Sequence, residues 1–177
     1  TDKGLQPLRG MPMAMHVLWR LAPQVIDVVI NANRNLGAYE GFGRTVVPDA
    51  SADFQGPLAG VLAGLPYCET DWMMVVPCDV PHLPTDLVAR LLAAAEAVDA
   101  PIAMPMTVDP DGQRQTHPVF LLLRGDLYDS LSVFMQNGGR KIDLWTASVG
   151  AIEVPFDDAS AFFNANTLAD LNQLEQV

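Results

Sequence analysis

Cationic side chains are scarce in this sequence. Ten Lys and Arg stand against twenty-one Asp and Glu, for a net charge of −11. A nucleic-acid surface needs a basic stripe to displace counterions, so that class of partner is excluded. A small anionic substrate is not, because a bound metal ion can neutralise phosphate locally. Cysteine is scarcer still. Cys68 and Cys78 are too few for a disulfide framework and lack metal-ligand spacing. They read as core or near-core thiols in a reducing compartment. Long apolar runs are missing as well, and none reaches the length needed to cross a bilayer. The opening Thr1-Asp2-Lys3-Gly4-Leu5-Gln6 holds no apolar leader core. These absences together describe a soluble, cytoplasmic protein with no membrane partner.

What is present is core-forming material. Half of the 177 residues are hydrophobic, enough for one domain with a sizeable interior. Short β-branched or apolar runs at 25–30, 45–47 and 72–76 read as buried strands, with weaker candidates at 101–106, 118–123 and 151–154. Helical patterns lie between them, at 13–21, 57–65, 85–98, 126–135 and 168–174, the last capped by Thr167. Alternating strands and helices predict an α/β fold, with a mostly parallel sheet covered on both faces. The turn-forming stretch 108–114 predicts one late antiparallel strand.

In open α/β sheets, ligands bind beyond the carboxyl ends of the strands, so the polar residues that follow each run are the candidates. The first run ends in Asn31-Ala32-Asn33-Arg34. Its amides either read a base or ribose edge, or serve as caps and turn formers. The second ends at Pro48-Asp49, followed by Gln55-Gly56-Pro57-Leu58-Ala59-Gly60. Small residues there either admit a ligand to the helix N-terminus or only permit tight packing. The third ends in Pro77-Cys78-Asp79-Val80-Pro81. A carboxylate delivered by an apolar strand between two prolines needs a cation or several donors. Magnesium suits it, since that ion takes one or two carboxylates and completes its shell with water and phosphate. The alternative is a cap on the following helix. Thr116-His117-Pro118 opens a later strand, and His117 is either a substrate or acid–base group or a structural ring. Before the last helix, Asn166-Thr167 looks like a cap, and Asn164 does not.

The ordered set Asp2-Lys3-Gly4-Leu5, Asn31-Ala32-Asn33-Arg34, Gly56-Pro57-Leu58-Ala59-Gly60, Pro77-Cys78-Asp79, Thr116-His117-Pro118 and Phe163-Asn164-Ala165-Asn166-Thr167 spans nearly the whole chain. It resembles the molybdenum cofactor guanylyltransferase family of MobA type. The resemblance implies a Rossmann-like, three-layer nucleotidyltransferase that joins GMP from GTP to molybdopterin and releases pyrophosphate. It implies that Lys3, Asn31, Asp49 and Asp79 bind GTP, and that Asp79 also binds Mg²⁺ or Mn²⁺. Lys3 and Asp79 become the catalytic pair, and His117, Asn164 and Asn166 face the phosphate and pterin side. Transient contact with other molybdenum-cofactor proteins is implied too. Two rivals stand beside this: a sister enzyme using CTP on molybdopterin or a nucleotide on a sugar phosphate, and a non-catalytic cofactor-binding protein. The family pattern opens with a strand, a Leu-Ala-Gly-Gly loop and a spaced Arg-Met-Gly before its Asp-Lys. This sequence begins at Thr1, inside that signature. A sheet without that central strand would leave two unpaired edges in the core. The expectation is one nucleotidyltransferase domain over 1–177 whose first strand and phosphate loop lie outside the given sequence.

Overall fold

A computed structural model describes residues 2–53, 56–165 and 168–176. After a 3₁₀ turn over Lys3–Leu5 the chain makes a hairpin, β1 (Pro7–Leu8) and β2 (Met11–Pro12). Arg9 and Gly10, both at positive φ, form its two-residue turn. Helix α1 (Met13–Leu21) buries Met13, Ala14, Val17, Leu18 and Leu21 along one stripe. Strand β3 (Val29–Asn31), helix α2 (Leu36–Glu40) and strand β4 (Thr45–Val47) follow. Helix α3 (Pro57–Gly64) starts with Pro57 directly after Gly56. Strand β5 (Trp72–Val75) and helix α4 (Leu87–Ala97) come next. Strands β6 (Ile102–Val108), β7 (Arg114–Thr116) and β8 (Leu121–Arg124) are consecutive. Helices α5 (Tyr128–Gln136) and α6 (Ile142–Val149), strand β9 (Ile152–Pro155) and helix α7 (Leu168–Glu175) complete the chain.

The larger sheet runs β5-β8-β6-β7, with β9 also paired to β6. β8 is antiparallel to both β5 and β6, so β5, β6 and β9 point one way and β7 and β8 the other. A second, two-stranded sheet pairs β3 with β4 in parallel. No ladder joins β3 to β5 among the described residues. β8 shows how the layers form. Leu122 points into one apolar cluster with Leu83, Leu87, Leu91 and Phe120. Leu121 and Leu123 point into the other, with Leu58, Leu62, Leu131 and Trp145. Strand alternation thus serves both faces, and helices cover each. Each of these leucines is almost completely buried, which stabilises the fold by about 1.5–3 kcal/mol apiece.

The α/β class, the helical cover on both faces and the predominance of co-directional strands agree with the sequence reading. Several details differ. Two late strands run antiparallel: β7 turns back on β6, and β8 inserts between β5 and β6. The expected strand over 25–30 shrinks to Val29–Asn31. A 3₁₀ turn over Ala22–Gln24 precedes it, and Ile26 is 88% exposed. Trp72–Val75 is only half-buried, since β8 is the sole ladder partner among the described residues. The 118–123 strand starts late, at Leu121, because His117 and Phe120 close a turn through Phe120 N–H to the His117 carbonyl. α2 and α6 have no counterpart in the sequence reading. α2 spans barely more than one turn, too short for periodicity, whereas Ile142, Trp145 and Val149 did carry an i, i+3, i+7 signal. The proposed Thr167 cap lies outside the described residues. No helix among the described residues is long and apolar enough to cross a membrane.

Candidate active site

Asp79 sits in the turn that follows β5 and is 8% exposed. The capping alternative fails. The next helix begins at Leu87, and Asp86 occupies its N-cap position. Lys3 Nζ lies 4.0 Å from Asp79 Oδ2, a distance that only partly compensates a buried charge. Burial raises the Asp79 carboxyl above its ordinary value, and the opposing pull of Lys3 does not cancel the rise. This under-neutralised oxygen pair suits a hard divalent cation that brings phosphate and water as its other ligands. No cluster of three or more His, Cys, Asp or Glu arranged for a metal occurs among the described residues, so phosphate and water would supply most of the shell of an ion held by Asp79.

The residues expected to bind the nucleotide form a second group at the ends of β3 and β4. Asn31 Nδ2 donates to Asp49 Oδ1 at 2.9 Å and to the Val47 carbonyl at 3.0 Å. Asn33 Nδ2 donates to Asp49 Oδ2 at 2.9 Å, and its Oδ1 accepts from Asp49 N–H at 2.8 Å. The parallel register, Asn31 opposite Val47, makes this possible. Neither asparagine caps α2, whose N-cap is Asn35. The Asn31 Nδ2 hydrogens are engaged by Asp49 and Val47, which leaves Oδ1 as the amide's acceptor. Gly60 of α3 comes close to that oxygen. A Cβ there would lie 2.5 Å from Asn31 Oδ1. The small residues of 56–60 therefore admit Asn31 to the helix, a closer packing than a side chain permits.

A third group ties the first two together. Asp2 Oδ1 accepts from Tyr39 Oη at 2.5 Å, and Oδ2 accepts from Asn35 Nδ2 at 3.0 Å, with Arg34 Nε at 3.9 Å. Burial alone would raise the Asp2 carboxyl, but the bonds from Tyr39 and Asn35, with Arg34, hold it below its ordinary value. Asp2 is the N-cap residue of the turn that carries Lys3. Gly4 in that turn is packed so tightly that a Cβ would meet Tyr39 Oη at 2.5 Å and Cys78 Sγ at 3.1 Å. Tyr39 thus both anchors Asp2 and seats the turn against the residue preceding Asp79. Sequence reading missed Asp2 and Tyr39 as site residues. Asp2 had a signal, its adjacency to Lys3, whereas Tyr39 had none.

The remaining expectations separate. His117 is packed as a structural ring: it stacks on Phe162 at 4.7 Å, and its Nε2 lies 2.8 Å from Thr107 Oγ1. Burial lowers its proton affinity against the pull of Asp109. It follows the end of β7 rather than opening a strand. Asn164 is drawn to the site, because Ala165 N–H donates to the Asp79 carbonyl at 3.1 Å. Asn166 lies outside the described residues. Neither cysteine lies in the core itself, though the Cys78 thiol is desolvated and so near-core. Cys68 is half-exposed and Cys78 exposed as a whole residue. Desolvation, then Asp79 and Asp2, still pushes the Cys78 thiol up to about 11, so it is uncharged near neutrality.

Known proteins share both this sequence and this fold. Residues 1–148 match the model of the MobA-like NTP transferase domain. A protein of Cupriavidus metallidurans called molybdenum cofactor guanylyltransferase is 60% identical over 175 residues, covering 99% of this chain and 86% of its own length. One of the same name from Ralstonia nicotianae is 57% identical over 180 residues, covering 99% and 88%. Among solved structures, molybdopterin-guanine dinucleotide biosynthesis protein A from Archaeoglobus fulgidus superposes with a TM-score of 0.79 at 21% identity, covering 99% of this chain and 90% of its own. A cytidylyltransferase from Thermus thermophilus, acting on 2-C-methyl-D-erythritol 4-phosphate by its name, superposes at 0.75 with 15% identity, covering 98% and 92%. These two structures speak for the fold alone, and the sequence matches for more: the chain belongs to the MobA-like NTP transferase family, and is a nucleotidyltransferase.

Proposed function

We infer that this protein transfers GMP from GTP to molybdopterin, forming the guanine dinucleotide cofactor and releasing pyrophosphate. The observation that carries the reading is identity near 60% along almost the whole chain with proteins named molybdenum cofactor guanylyltransferase. The placement of Lys3 beside Asp79 supports it. A terminal phosphate oxygen of molybdopterin attacks the α-phosphorus of GTP. The bond from that phosphorus to the bridging oxygen breaks, and pyrophosphate leaves with the electron pair. No covalent enzyme intermediate is needed. Asp79 would hold Mg²⁺ or Mn²⁺, which supplies charge stabilisation to the phosphates. Lys3 stabilises negative charge that builds on the leaving group. Asn31, oriented by Asp49, binds the nucleotide, and the family resemblance assigns His117, Asn164 and Asn166 to the phosphate and pterin side. The free thiols fit a reducing cytoplasm.

The test is incubation of the full protein with GTP, Mg²⁺ and molybdopterin. Pyrophosphate and the dinucleotide are the expected products. Absence of both sinks the enzymatic reading and favours a cofactor-binding role. Product from CTP at the same rate as from GTP sinks the base assignment.

A further inference from the structure

A cavity of about 330 Å³ lies between α1 and the turn that follows Asp79, lined by Leu8, Arg9, His16, Trp19, Arg20, Pro81 and His82. Two of the chain's three histidines and two of its ten Lys and Arg residues meet here, in a protein of net charge −11. The guanidinium of Arg20 is fixed at one nitrogen, where Nε donates to the Leu83 carbonyl at 2.6 Å. That bond leaves the donors on its Nη nitrogens for a ligand. His16 is fixed by Nε2, 2.7 Å from the Leu8 carbonyl, and meets Trp19 edge-on at 5.7 Å. Trp19 is 53% exposed at the rim. His82 carries the decisive anomaly. Its Nε2 is the only buried side-chain nitrogen or oxygen without a hydrogen-bond partner among the described residues. Buried polar atoms are nearly always satisfied, and an orphan calls for an absent partner such as water or an ion. A guanidinium with spare donors, that of Arg20, beside an imidazole makes a setting that favours phosphate oxygens.

We propose that this cavity is a second ligand site that binds a phosphate dianion, either free phosphate or diphosphate or the phosphate end of a larger molecule, through Arg20 and His82. The turn Asp79-Val80-Pro81-His82 connects it directly to the carboxylate assigned to the metal. Binding here needs no nucleotide, so the proposal stands or falls apart from guanylyl transfer. Burial, then Arg20, Arg9 and His16, lowers the proton affinity of His82, while Asp158 pulls the other way. A phosphate ligand would reverse that balance and raise it.

The test is an NMR titration of the histidine rings and the Trp19 indole in the nucleotide-free protein. Inorganic phosphate, diphosphate and phenyl phosphate are added in separate series, each at constant ionic strength set with sodium chloride. The expected result is saturable shifts at His82, His16 and Trp19, with a higher titration midpoint for His82. Tightest binding by phenyl phosphate assigns a larger phosphomonoester, and tightest binding by diphosphate assigns the free anion. Arg20→Gln should weaken binding at least tenfold. His82→Gln, which leaves the Arg20–Leu83 bond in place, is the second variant should Arg20→Gln unfold. Shifts that chloride alone reproduces, or that never saturate, or that survive both substitutions unchanged, overturn the proposal.

Discussion

Asp79 is held at a disadvantage in the metal-free chain, and its replacement has two separable outcomes. Asp79→Asn keeps the shape and removes the buried charge that Lys3 only partly offsets. The metal-free variant should melt at a higher temperature than the parent near neutral pH, while guanylyl transfer falls by about 100-fold or more. Calorimetry and the pyrophosphate assay read the two effects. Near-normal turnover in Asp79→Asn would end the metal role. Tyr39 acts at one remove, through Asp2 and the Lys3 turn. Tyr39→Phe should lower kcat by about 10-fold, the scale of a lost bond to a charged group. In a Lys3→Ala background the same change should cost nothing further, since the residue it positions is gone. Additive losses would show that Tyr39 acts elsewhere, whereas a harmless Lys3→Ala would remove the catalytic role of Lys3 itself.

Elements matter here through how closely they approach. α3 reaches Asn31 because residue 60 has no side chain. Glycine inside a helix costs about 0.5–1 kcal/mol relative to alanine, so this position gives up stability for access. Gly60→Ala should fold, with its helix propensity improved, but should push the Asn31 amide away from Asp49. The expected reading is a KM for GTP raised about 10-fold or more with a smaller change in kcat. An unchanged KM would mean that Asn31 does not bind the nucleotide. The sheet supplies the same lesson in reverse. β8 was legible as an apolar run, but its antiparallel insertion between β5 and β6 was not, since a run of leucines reads alike in either direction.

Stability of the whole molecule should depend on pH through groups that shift in opposite senses. His82 and His117 are both lowered from 6.5, burial being the chief cause for each. A lowered group binds fewer protons folded than unfolded, so its contribution is present above 6.5 and is lost as the pH falls through its folded value. Asp79 is raised from 3.8, so its contribution is present below 3.8 and is lost as pH rises through its folded value. Between about pH 7.5 and 5.5 the histidines dominate, and the melting temperature should decline on acidification. Thermal scans of His82→Gln with His117→Gln should show a flatter slope. An unaltered slope would exclude both as the cause.

The sequence by itself determined the α/β class, the positions of most strands and helices, and which strand-end residues are the candidates for the site. Apolar runs of strand length and helical periodicity are local properties, and polar residues at their ends need no partner to be recognised. Tertiary structure decided the rest, because the deciding contacts join residues far apart in the chain. Asp49 meets Asn31 and Asn33 through a parallel register, and Asp2 meets Tyr39 from far along the chain. Packing also decided what the residue types left open. Asp79 is no helix cap, since the next helix starts at Leu87. His117 spends its ring on Phe162 and Thr107. Side-chain identity sets what a group can do, and only the three-dimensional neighbours leave it free or engage it.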